Sequence, residues 1–594
     1  IVPSDQEEEQ TTRSTNTRFS ISQSFRKQGG NLLFSLLLNR LKTSYSYSES
    51  YSKSPTVPFS HSETYQAKAT YDLTPKSSLT LPILFFLKPI PLIPQSLKDT
   101  QLGLLPSRFN MSGTVKKNYS RSINNQDYES KTYNRTLNGD LALSWNIFKS
   151  LSTDYTLRTN RDIRNTDDIN FSFNPSEFKL GIELENNQSL RMEYGPSLFK
   201  WLTHKFSYRA TYRENADPAR NELGTRNVNA GNTFSISSTF SPQTFFGRGS
   251  KSGPAKSDST ENGGFSLHKP FLKFIRFFTN RIDDISGSYS LDNQSSIWGL
   301  EDRPNWKYIF GFTDDPGAEI NPEAISRTAR DVNTESKSYS ARSGIRFILG
   351  TKINTRYARS ERQSSANSNK SVSTTFPDVS CSLGNLERYG ILSFFFNSLS
   401  FDTKYMRKTD ETFRTAGRQY LSDKSTTDSY SPLIKLNFTW FHKLQCSFQY
   451  DKSTTLKEQY ENTQEVEGSD TTFLTNLSNG VRTSSNSWQF TARATLSPAQ
   501  GIKFPIFGKL QSTLTFNLNI SQKNTKSENN RFQTEGGWST TAERTDFTIM
   551  PRISYSFSSN INDGLQARWQ DSNDKTRYQK SHVRELGLWV EIRF

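Results

Sequence analysis

Apolar and polar residues alternate one by one through much of this chain, most regularly in its last nine residues. One side of that segment carries Leu586, Leu588, Val590, Ile592 and Phe594, and the other carries Gly587, Trp589, Glu591 and Arg593. Because successive side chains of a strand point to opposite faces, the pattern predicts a β-strand with one apolar face. That face needs a non-aqueous partner, which is either lipid or a protein core.

The same alternation recurs in pairs of segments joined by short polar turns, which predicts antiparallel hairpins. The clearest pairs are 141–147 with 151–157, 178–184 with 190–194, and 434–440 with 444–450, and single segments of the same kind are 514–520 and 553–557. Aromatic residues stand at many segment ends, as in the interfacial girdles of membrane barrels. We therefore predict an all-β fold, a large transmembrane antiparallel β-barrel or an incomplete arc of one. A soluble β-sandwich is the alternative.

The length of the chain sets the number of strands that such a barrel could have. At about 9–11 residues for each membrane strand plus connections, the chain accommodates roughly 16–24 strands. We predict a flexible linker over 1–30 and a barrel wall over 31–594. Long polar loops are predicted at 247–264, 360–373 and 454–471, and 247–264 is expected to be flexible. Short apolar patches at 198–201, 271–278 and 391–396 fit either short helices or elongated strand ends.

The composition agrees with a sheet that has one face in contact with water. Only 32% of the residues are hydrophobic, against roughly 45–50% in soluble globular domains, yet 13% are aromatic. No uninterrupted apolar run approaches the roughly 18 residues of a membrane-spanning helix. The net charge of +16 comes from Lys and Arg scattered along nearly every segment. Basic loops facing phosphorylated lipid, or a cationic lumen, explain this charge, and no nucleic-acid partner is expected.

The sequence predicts no catalytic, metal or cofactor site, and hence no enzyme. Hydrolase, zinc-protease, redox and glycine-rich nucleotide motifs are absent from it. The five histidines lie in separate segments: His61, His204, His268, His442 and His582. Two cysteines, Cys381 and Cys446, match no metal motif and allow at most one disulfide. Cys446 falls in the apolar phase of a strand, so we expect a small buried hydrophobic residue there.

Particular stretches resemble the C-terminal part of the SprA/Sov family, the giant outer-membrane translocons of the type IX secretion system. The stretches are Leu105–Phe109, Asp140–Thr159, Arg281–Ser290, Ser431–Lys457 and Pro551–Phe594. These stretches are spread over residues 105–594, which is most of the chain. The likeness lies in the order of the hairpins and in their local sequence, and it includes no catalytic motif.

The resemblance implies a very wide single-chain barrel in the bacterial outer membrane, through which secreted and cell-surface proteins pass, and which the family links to gliding motility. The partners it implies are outer-membrane lipid, the barrel-assembly machinery, secreted cargo proteins and pore-closing or plug proteins. The family's large N-terminal part and signal peptide are not in this sequence, so the expectation is a C-terminal fragment that forms an arc of the wall.

In such a wall the terminal strand has a role in assembly. Its apolar residues are Leu586, Leu588, Val590, Ile592 and Phe594, which we interpret as the insertion signal. The same strand is expected to be the seam of the complete barrel. Two rival functions stay open: another outer-membrane barrel, for lipopolysaccharide assembly or solute uptake, and a secreted β-rich surface adhesin with a sandwich core.

Overall fold

The computed structural model describes most of the chain. The described residues are 12–24, 39–54, 56–75, 80–82, 101–165, 169–170, 179–196, 199–216, 224–245, 279, 281–323, 332–347, 350–366, 369–416, 418–440, 443–467, 470–496, 502–504, 508–510, 513–531, 537–556 and 561–592.

Regular structure in these residues consists almost wholly of strands. The first thirteen are β1 (Arg13–Ser24), β2 (Leu41–Lys53), β3 (Phe59–Leu73), β4 (Thr80–Pro82), β5 (Gln101–Gly103), β6 (Arg108–Ile123), β7 (Glu129–Phe148), β8 (Leu151–Asp162), β9 (Ile169–Asn170), β10 (Lys179–Leu180), β11 (Ile182–Tyr194), β12 (Leu202–Asn215) and β13 (Arg226–Phe240). The others are β14 (Ile285–Leu300), β15 (Val332–Arg346), β16 (Thr351–Ser364), β17 (Lys370–Leu383), β18 (Phe396–Ala416), β19 (Arg418–Trp440), β20 (Leu444–Glu467), β21 (Asp470–Leu496), β22 (Ile502–Phe504), β23 (Gly508–Leu510), β24 (Leu514–Arg531), β25 (Ser539–Ser556), β26 (Ile561–Asp574) and β27 (Gln579–Ile592).

In the part of the chain that the structure describes, the helical elements with assigned bounds are single turns. They are α1 (Pro242–Phe245), α2 (Trp306–Ile309), α3 (Leu392–Phe395) and a 3₁₀ turn at Leu386–Arg388. Among the described residues, no helix has the length and apolar character needed to cross a membrane. In the patch 391–396, both predicted alternatives occur, since α3 is followed directly by β18. The patch 271–278 lies outside the described residues.

Twenty-three of the strands belong to one hydrogen-bonded sheet, while β9 with β10 and β22 with β23 form two separate pairs. Neighbouring strands run antiparallel, as in β1 with β2 and β26 with β27. The predicted all-β antiparallel fold is therefore confirmed, and the number of strands in the sheet falls within the predicted range. Antiparallel neighbours need only short turns, which is why strands that are consecutive in the sequence pair so often.

The chain divides into two compact units, each described separately below. The first unit comprises Ile1–Phe199, Thr203–Ile236 and Ser290–Glu335, and the second comprises Lys200–Leu202, Ser237–Tyr289 and Ser336–Phe594. In the first unit β1, β2, β3, β6, β7, β8, β11 and β12 pair in that order. In the second unit the order is β16 to β21, then β24 to β27.

Three segments differ from the sequence-based expectation or lie beyond description. The linker predicted over 1–30 contains β1, which pairs with β2 from Arg13 opposite Lys53 to Ser24 opposite Lys42. The polar stretches 360–373 and 454–471, predicted as loops, continue as strands of the β16–β17 and β20–β21 hairpins. Backbone pairing holds these strands even though both their faces are polar, so alternation gave no signal there. The predicted loop 247–264 lies outside the described residues.

Candidate membrane-facing surface

One side of the second unit is apolar because residues of the same phase lie opposite one another on neighbouring strands. The central row consists of Leu399, Phe438, Cys446, Ala492, Leu518 and Pro551 on β18, β19, β20, β21, β24 and β25. The row on one side of it is Phe401, Leu436, Phe448, Phe490, Ile520 and Ile549. The row on the other side is Phe396, Trp440, Leu444, Ala494, Phe516 and Ile553, which continues through Leu565 to Leu588. We call these three rows the apolar band.

The opposite side of the same strands is polar. One row there is Ser400, Asn437, Ser447, Thr491 and Asn519. Its side chains hydrogen-bond across strands, with Ser447 Oγ donating to Asn437 Oδ1 at 2.8 Å and Asn437 Nδ2 donating to Ser400 Oγ at 3.3 Å. From β18 to β24 the apolar and polar residues stay on separate faces, and on β25 the apolar Met550 lies opposite Asn519 on the polar face. The sheet therefore has one face suited to an apolar medium and one suited mainly to water.

Aromatic residues border the apolar band at both ends. Ile434, Tyr450, Trp488, Gln522 and Phe547 form the border row at one end. There Trp488 packs 6.4 Å from Phe547 between ring centroids, and its Nε1 donates to Gln522 Oε1 at 3.2 Å. At the other end Tyr555 lies opposite Leu514. The stretch from Leu514 to Gln522 spans nine residues of β24, which matches the about 9–11 residues of a membrane strand.

The first unit has the same two-sided construction. Its apolar side contains the rows Leu143, Tyr155, Leu190, Ala210 and Trp145, Thr153, Met192, Tyr208 on β7, β8, β11 and β12. Its polar side contains the rows Ser144, Asp154, Arg191, Arg209 and Asn146, Ser152, Glu193, Ser207. The last apolar row is Leu141, Leu157, Gln188 and Tyr212, and the next row, Gly139, Thr159, Asn186 and Glu214, is polar.

The terminal strand β27 presents the predicted apolar residues on one face. Leu586, Leu588 and Val590 are 75%, 82% and 63% exposed, and Leu588 lies opposite Leu565. Ile592 pairs with Ile561 through its backbone, but its side chain and the whole of Phe594 lie outside the described residues. Their role as an insertion signal stays a prediction.

Trp589 on the other face of β27 locks this strand to the sheet. Its indole covers Gly564, where a Cβ atom would lie 2.5 Å from the ring, and the Arg552 guanidinium stacks 4.3 Å from the ring centroid. In the described pairings β26 is the sole neighbour of β27.

A cluster that sequence reasoning missed lies on β2 and β3. His61 Nε2 is 3.0 Å from Glu49 Oε1 and 3.7 Å from Glu63 Oε1, and Glu49 lies directly opposite Glu63. This is the group in the described part of the chain whose geometry could hold a metal ion. Tyr47 and Tyr65 donate to the two carboxylates, so the side chains are hydrogen-bonded without an ion. The histidine looked isolated because only the strand register brings Glu49, 12 residues earlier in the sequence, beside His61 and Glu63.

The remaining histidines and the cysteines add no second cluster of this kind within the described residues. His582 Nδ1 lies 2.6 Å from Asp571 Oδ1, and His204 lies beside the ring of Phe206. His268 and His442 are outside the described residues. Both cysteines are free thiols, and Cys446 is buried in the apolar band, as the sequence predicted.

A buried ion cluster at the end of β12 was also missed. Glu214 is 1% exposed, and it accepts hydrogen bonds from Arg303 Nε at 2.9 Å and from Tyr212 Oη at 2.9 Å. Arg226 pairs with its other oxygen, and Arg303 reaches Glu183 as well. Burial alone raises the pKa of the Glu214 carboxyl, but the Arg303 hydrogen bonds and charge outweigh it and hold that pKa below its usual value.

Comparison with known proteins gives no family assignment. No protein-family model matches the chain, and no curated protein matches its sequence. Among solved structures it is similar to the siderophore receptor PirA from Pseudomonas aeruginosa, with 9% identity, 93% of this chain and 80% of that chain covered, and a TM-score of 0.28. It is also similar to the outer membrane transporter YddB from Escherichia coli, with 8% identity, 90% of this chain and 68% of that chain covered, and a TM-score of 0.31. The ferripyoverdine receptor of the outer membrane of Pseudomonas aeruginosa has 11% identity, with 98% of this chain and 64% of that chain covered and a TM-score of 0.23. TM-scores this low do not establish a common fold or a common function.

Proposed function

We propose that this chain forms part of the wall of a β-barrel in the bacterial outer membrane, and that the wall acts as a passive conduit for proteins. The observation that carries the proposal is the apolar band, which runs without interruption across six strands. Aromatic residues lie at both its borders, with Tyr450, Trp488 and Phe547 at one and Tyr555 at the other. In lipid every backbone polar group needs an internal partner, and a paired sheet provides those partners. Outward apolar and inward polar faces are the pattern of such walls.

Exposure of the apolar band favours a membrane over a soluble sandwich. Trp440, Ile553 and Leu565 all belong to the row of the apolar band that runs from Phe396 to Leu588, and all three are exposed. In a sandwich, a second sheet about 10 Å away would cover these side chains. No described segment of the second unit forms such a layer over them. Lipid is the partner that fits an apolar face of this extent, and the secreted adhesin is correspondingly disfavoured.

The finer assignment within outer-membrane barrels is a protein translocon of the type IX secretion system. A barrel of roughly 16–24 strands, the number that the chain length allows, would enclose a lumen too wide for side chains to fill. The inner face would consist of rows of Ser, Thr, Asn and Gln with charged residues such as Arg191 and Arg493 among them, leaving little apolar surface to which passing chains could adhere. The resemblance of five sequence stretches to the SprA/Sov family supports the same assignment. A solute-uptake channel is the second candidate.

In the proposed barrel, the wall closes at the edge of β27 that faces away from β26. Because its far edge has no described neighbour, a further strand can add there and complete the wall. We propose that this strand belongs to the barrel's seam. Barrel-assembly machinery, secreted cargo and plug proteins are the proposed partners, with lipid around the wall.

Photo-crosslinking in living cells tests the conduit. A photoreactive amino acid at Asn519 samples the polar side, and one at Leu518, the next residue on β24, samples the apolar side. We expect the probe at Asn519 to capture secreted proteins during export and the probe at Leu518 to capture none. Equal capture at both positions, or capture of no secreted protein from the polar side while a siderophore-sized solute is taken up, would contradict the translocon.

A further inference from the structure

The segment between β14 and β15 is packed onto the apolar side of the first unit. We call residues 301–323 the strap. It carries one helical turn, α2, and a turn at Asp315–Gly317, where the Gly317 amide donates to Asp315 Oδ1 at 2.9 Å. Asn305 begins α2, its Oδ1 accepting from the Tyr308 amide at 2.9 Å. The strap is thus an ordered element with its own hydrogen bonds.

The ion cluster fixes one end of the strap beyond the apolar rows. Arg303 of the strap binds both Glu214 on β12 and Glu183 on β11. Glu214 stands one row past Tyr212, the last member of the apolar rows on β12. This end of the strap therefore lies outside the part of the wall that we assign to the membrane.

The middle of the strap is buried against the strands. Tyr308 and Ile309 pack in a core cluster with Tyr212, Val228, Ile297 and Leu300. The Tyr308 hydroxyl donates to Ser295 Oγ at 3.0 Å. Burial of this kind holds the backbone of α2 in one position, since moving it would expose two large side chains.

The other end of the strap reaches down onto the apolar rows. The ring of Phe312 stacks on Tyr208 with centroids 5.8 Å apart and an interplanar angle of 5°, and Phe310 lies 6.1 Å from Tyr155. The Tyr208 hydroxyl donates to the Phe310 carbonyl. Tyr155 and Tyr208 belong to the apolar rows of β8 and β12. The strap thus crosses the border between the polar end of the strands and their apolar part.

Two aromatic rings of this fixed segment remain uncovered. Trp306 is 61% exposed and Phe312 is 60% exposed, and the rings meet edge to face at 6.3 Å. The Lys307 ammonium lies 6.0 Å from the centre of the Trp306 ring. Aromatic rings accompanied by a cationic side chain suit the boundary between lipid head groups and acyl chains, where apolar and charged surroundings meet.

We infer that the strap is a membrane-interface anchor, which inserts Trp306 and Phe312 into the head-group boundary beside the wall. This inference rests on the proposed function, because it needs lipid on the apolar side of the sheet. The strap continues that apolar side directly through the Tyr208–Phe312 stack, so the same lipid that covers the apolar rows covers the two rings. The cation Lys307 is placed to meet lipid phosphate.

Quenching by brominated lipid tests the inference on the full chain in bilayers. Bromines placed near the head-group end of the acyl chains quench tryptophans at that depth. The variant Trp306→Phe removes one of nine tryptophans. We expect the fluorescence intensity that the bromines quench to fall by about the contribution of one tryptophan. Aqueous iodide should quench the Trp306 component in detergent-free bilayers less than in lipid-free protein held in amphipol.

The control variant is Trp569→Phe in the second unit, where Trp569 lies opposite Ile549 of the apolar band. If Trp569→Phe reduces bromine quenching and Trp306→Phe does not, the strap inference is overturned and the wall stands. If neither variant changes the quenching, the proposed membrane wall itself is contradicted. Reduced quenching in both variants supports both. Heat-modifiable migration confirms that each variant is folded, and an exposed Trp-to-Phe change leaves the buried part of the strap intact.

Discussion

A charge in the central row of the apolar band tests whether that row lies at the middle of a membrane. Leu518 has two rows of the same face on either side of it, ending at Leu514 and Gln522 of the same strand. It lies opposite Ala492 and Pro551 on the neighbouring strands. The variant Leu518→Arg places a guanidinium at this position, and Asn519→Arg places the same group one residue further on the polar side.

The expected cost follows from depth. Arginine on the lipid face costs about 2–4 kcal/mol at the bilayer midplane and about 0–1 kcal/mol near the interface. We expect Leu518→Arg to lose about 2–4 kcal/mol, a shift of roughly 30- to 900-fold in the folding equilibrium. Leu514→Arg, at the border of the band, should lose about 0–1 kcal/mol. Asn519→Arg should change the stability by less than about 0.5 kcal/mol, because its side chain stays in water.

The measurement is the free energy of unfolding of the full chain in lipid vesicles, from urea titrations followed by tryptophan fluorescence. All three variants keep the same strand and the same added charge, so the comparison isolates the surroundings of the side chain. Equal costs for Leu518→Arg and Asn519→Arg, or a larger cost at Leu514 than at Leu518, would refute the assignment of the apolar band.

Further predictions concern the terminal strand and the strap. Gly564→Val should destabilise the β26–β27 hairpin by about 1–3 kcal/mol, since its side chain meets the Trp589 ring, whereas Gly587→Ala, whose nearest neighbour would be Gln566 at 3.5 Å, should be tolerated; unfolding titrations decide. Leu588→Asp should lower the amount of assembled, heat-modifiable protein in the outer membrane several-fold, while Glu591→Gln on the opposite face should not. Glu214→Gln should loosen the strap by about 1.5–3 kcal/mol, because the charged hydrogen bonds to two partly exposed arginines are lost while Arg303 keeps Glu183, and limited proteolysis within 301–323 should then be faster than in the control Glu319→Gln. The folded-state pKa of Glu214 is lowered, so its contribution is complete above the ordinary glutamate pKa and is lost only as the pH falls through the lowered value; proteolysis of the strap should therefore accelerate in acid and stay unchanged on the alkaline side.

Alternation in the sequence located the part of each strand with one apolar face but not the full length of the strands. The predicted strand 514–520 is the start of β24, which continues to Arg531. The continuation, from Lys523 to Asn530, is polar on both faces, so it carries no period-two signal. Its structure comes from hydrogen bonds to β21 and β25, which no local pattern specifies. The same reason explains why 454–471 was predicted as a loop.

The apolar side was predictable strand by strand, whereas the rows across strands were not. Rows depend on register, and register shifts at bulges such as that between Asp402 and Met406 of β18. The ion cluster around Glu214 could not be predicted from the sequence for a similar reason. Arg303 and Glu183 are 120 residues apart in the sequence, and each alone resembles any other charged residue of a basic chain. Only packing of the strap onto the first unit brings them together.

Spin labels on β24 provide the most direct test of the two-sided wall in lipid. With Cys381 and Cys446 replaced, single nitroxides are placed at Phe516, Asn517, Leu518 and Asn519 of the full chain in bilayers, and collisions with oxygen and with a water-soluble nickel complex are measured. The proposed wall predicts high oxygen and low nickel accessibility at Phe516 and Leu518, and high nickel accessibility at Asn517 and Asn519. Low accessibility to both reagents at Phe516 and Leu518 would place them in a protein core and contradict the membrane wall.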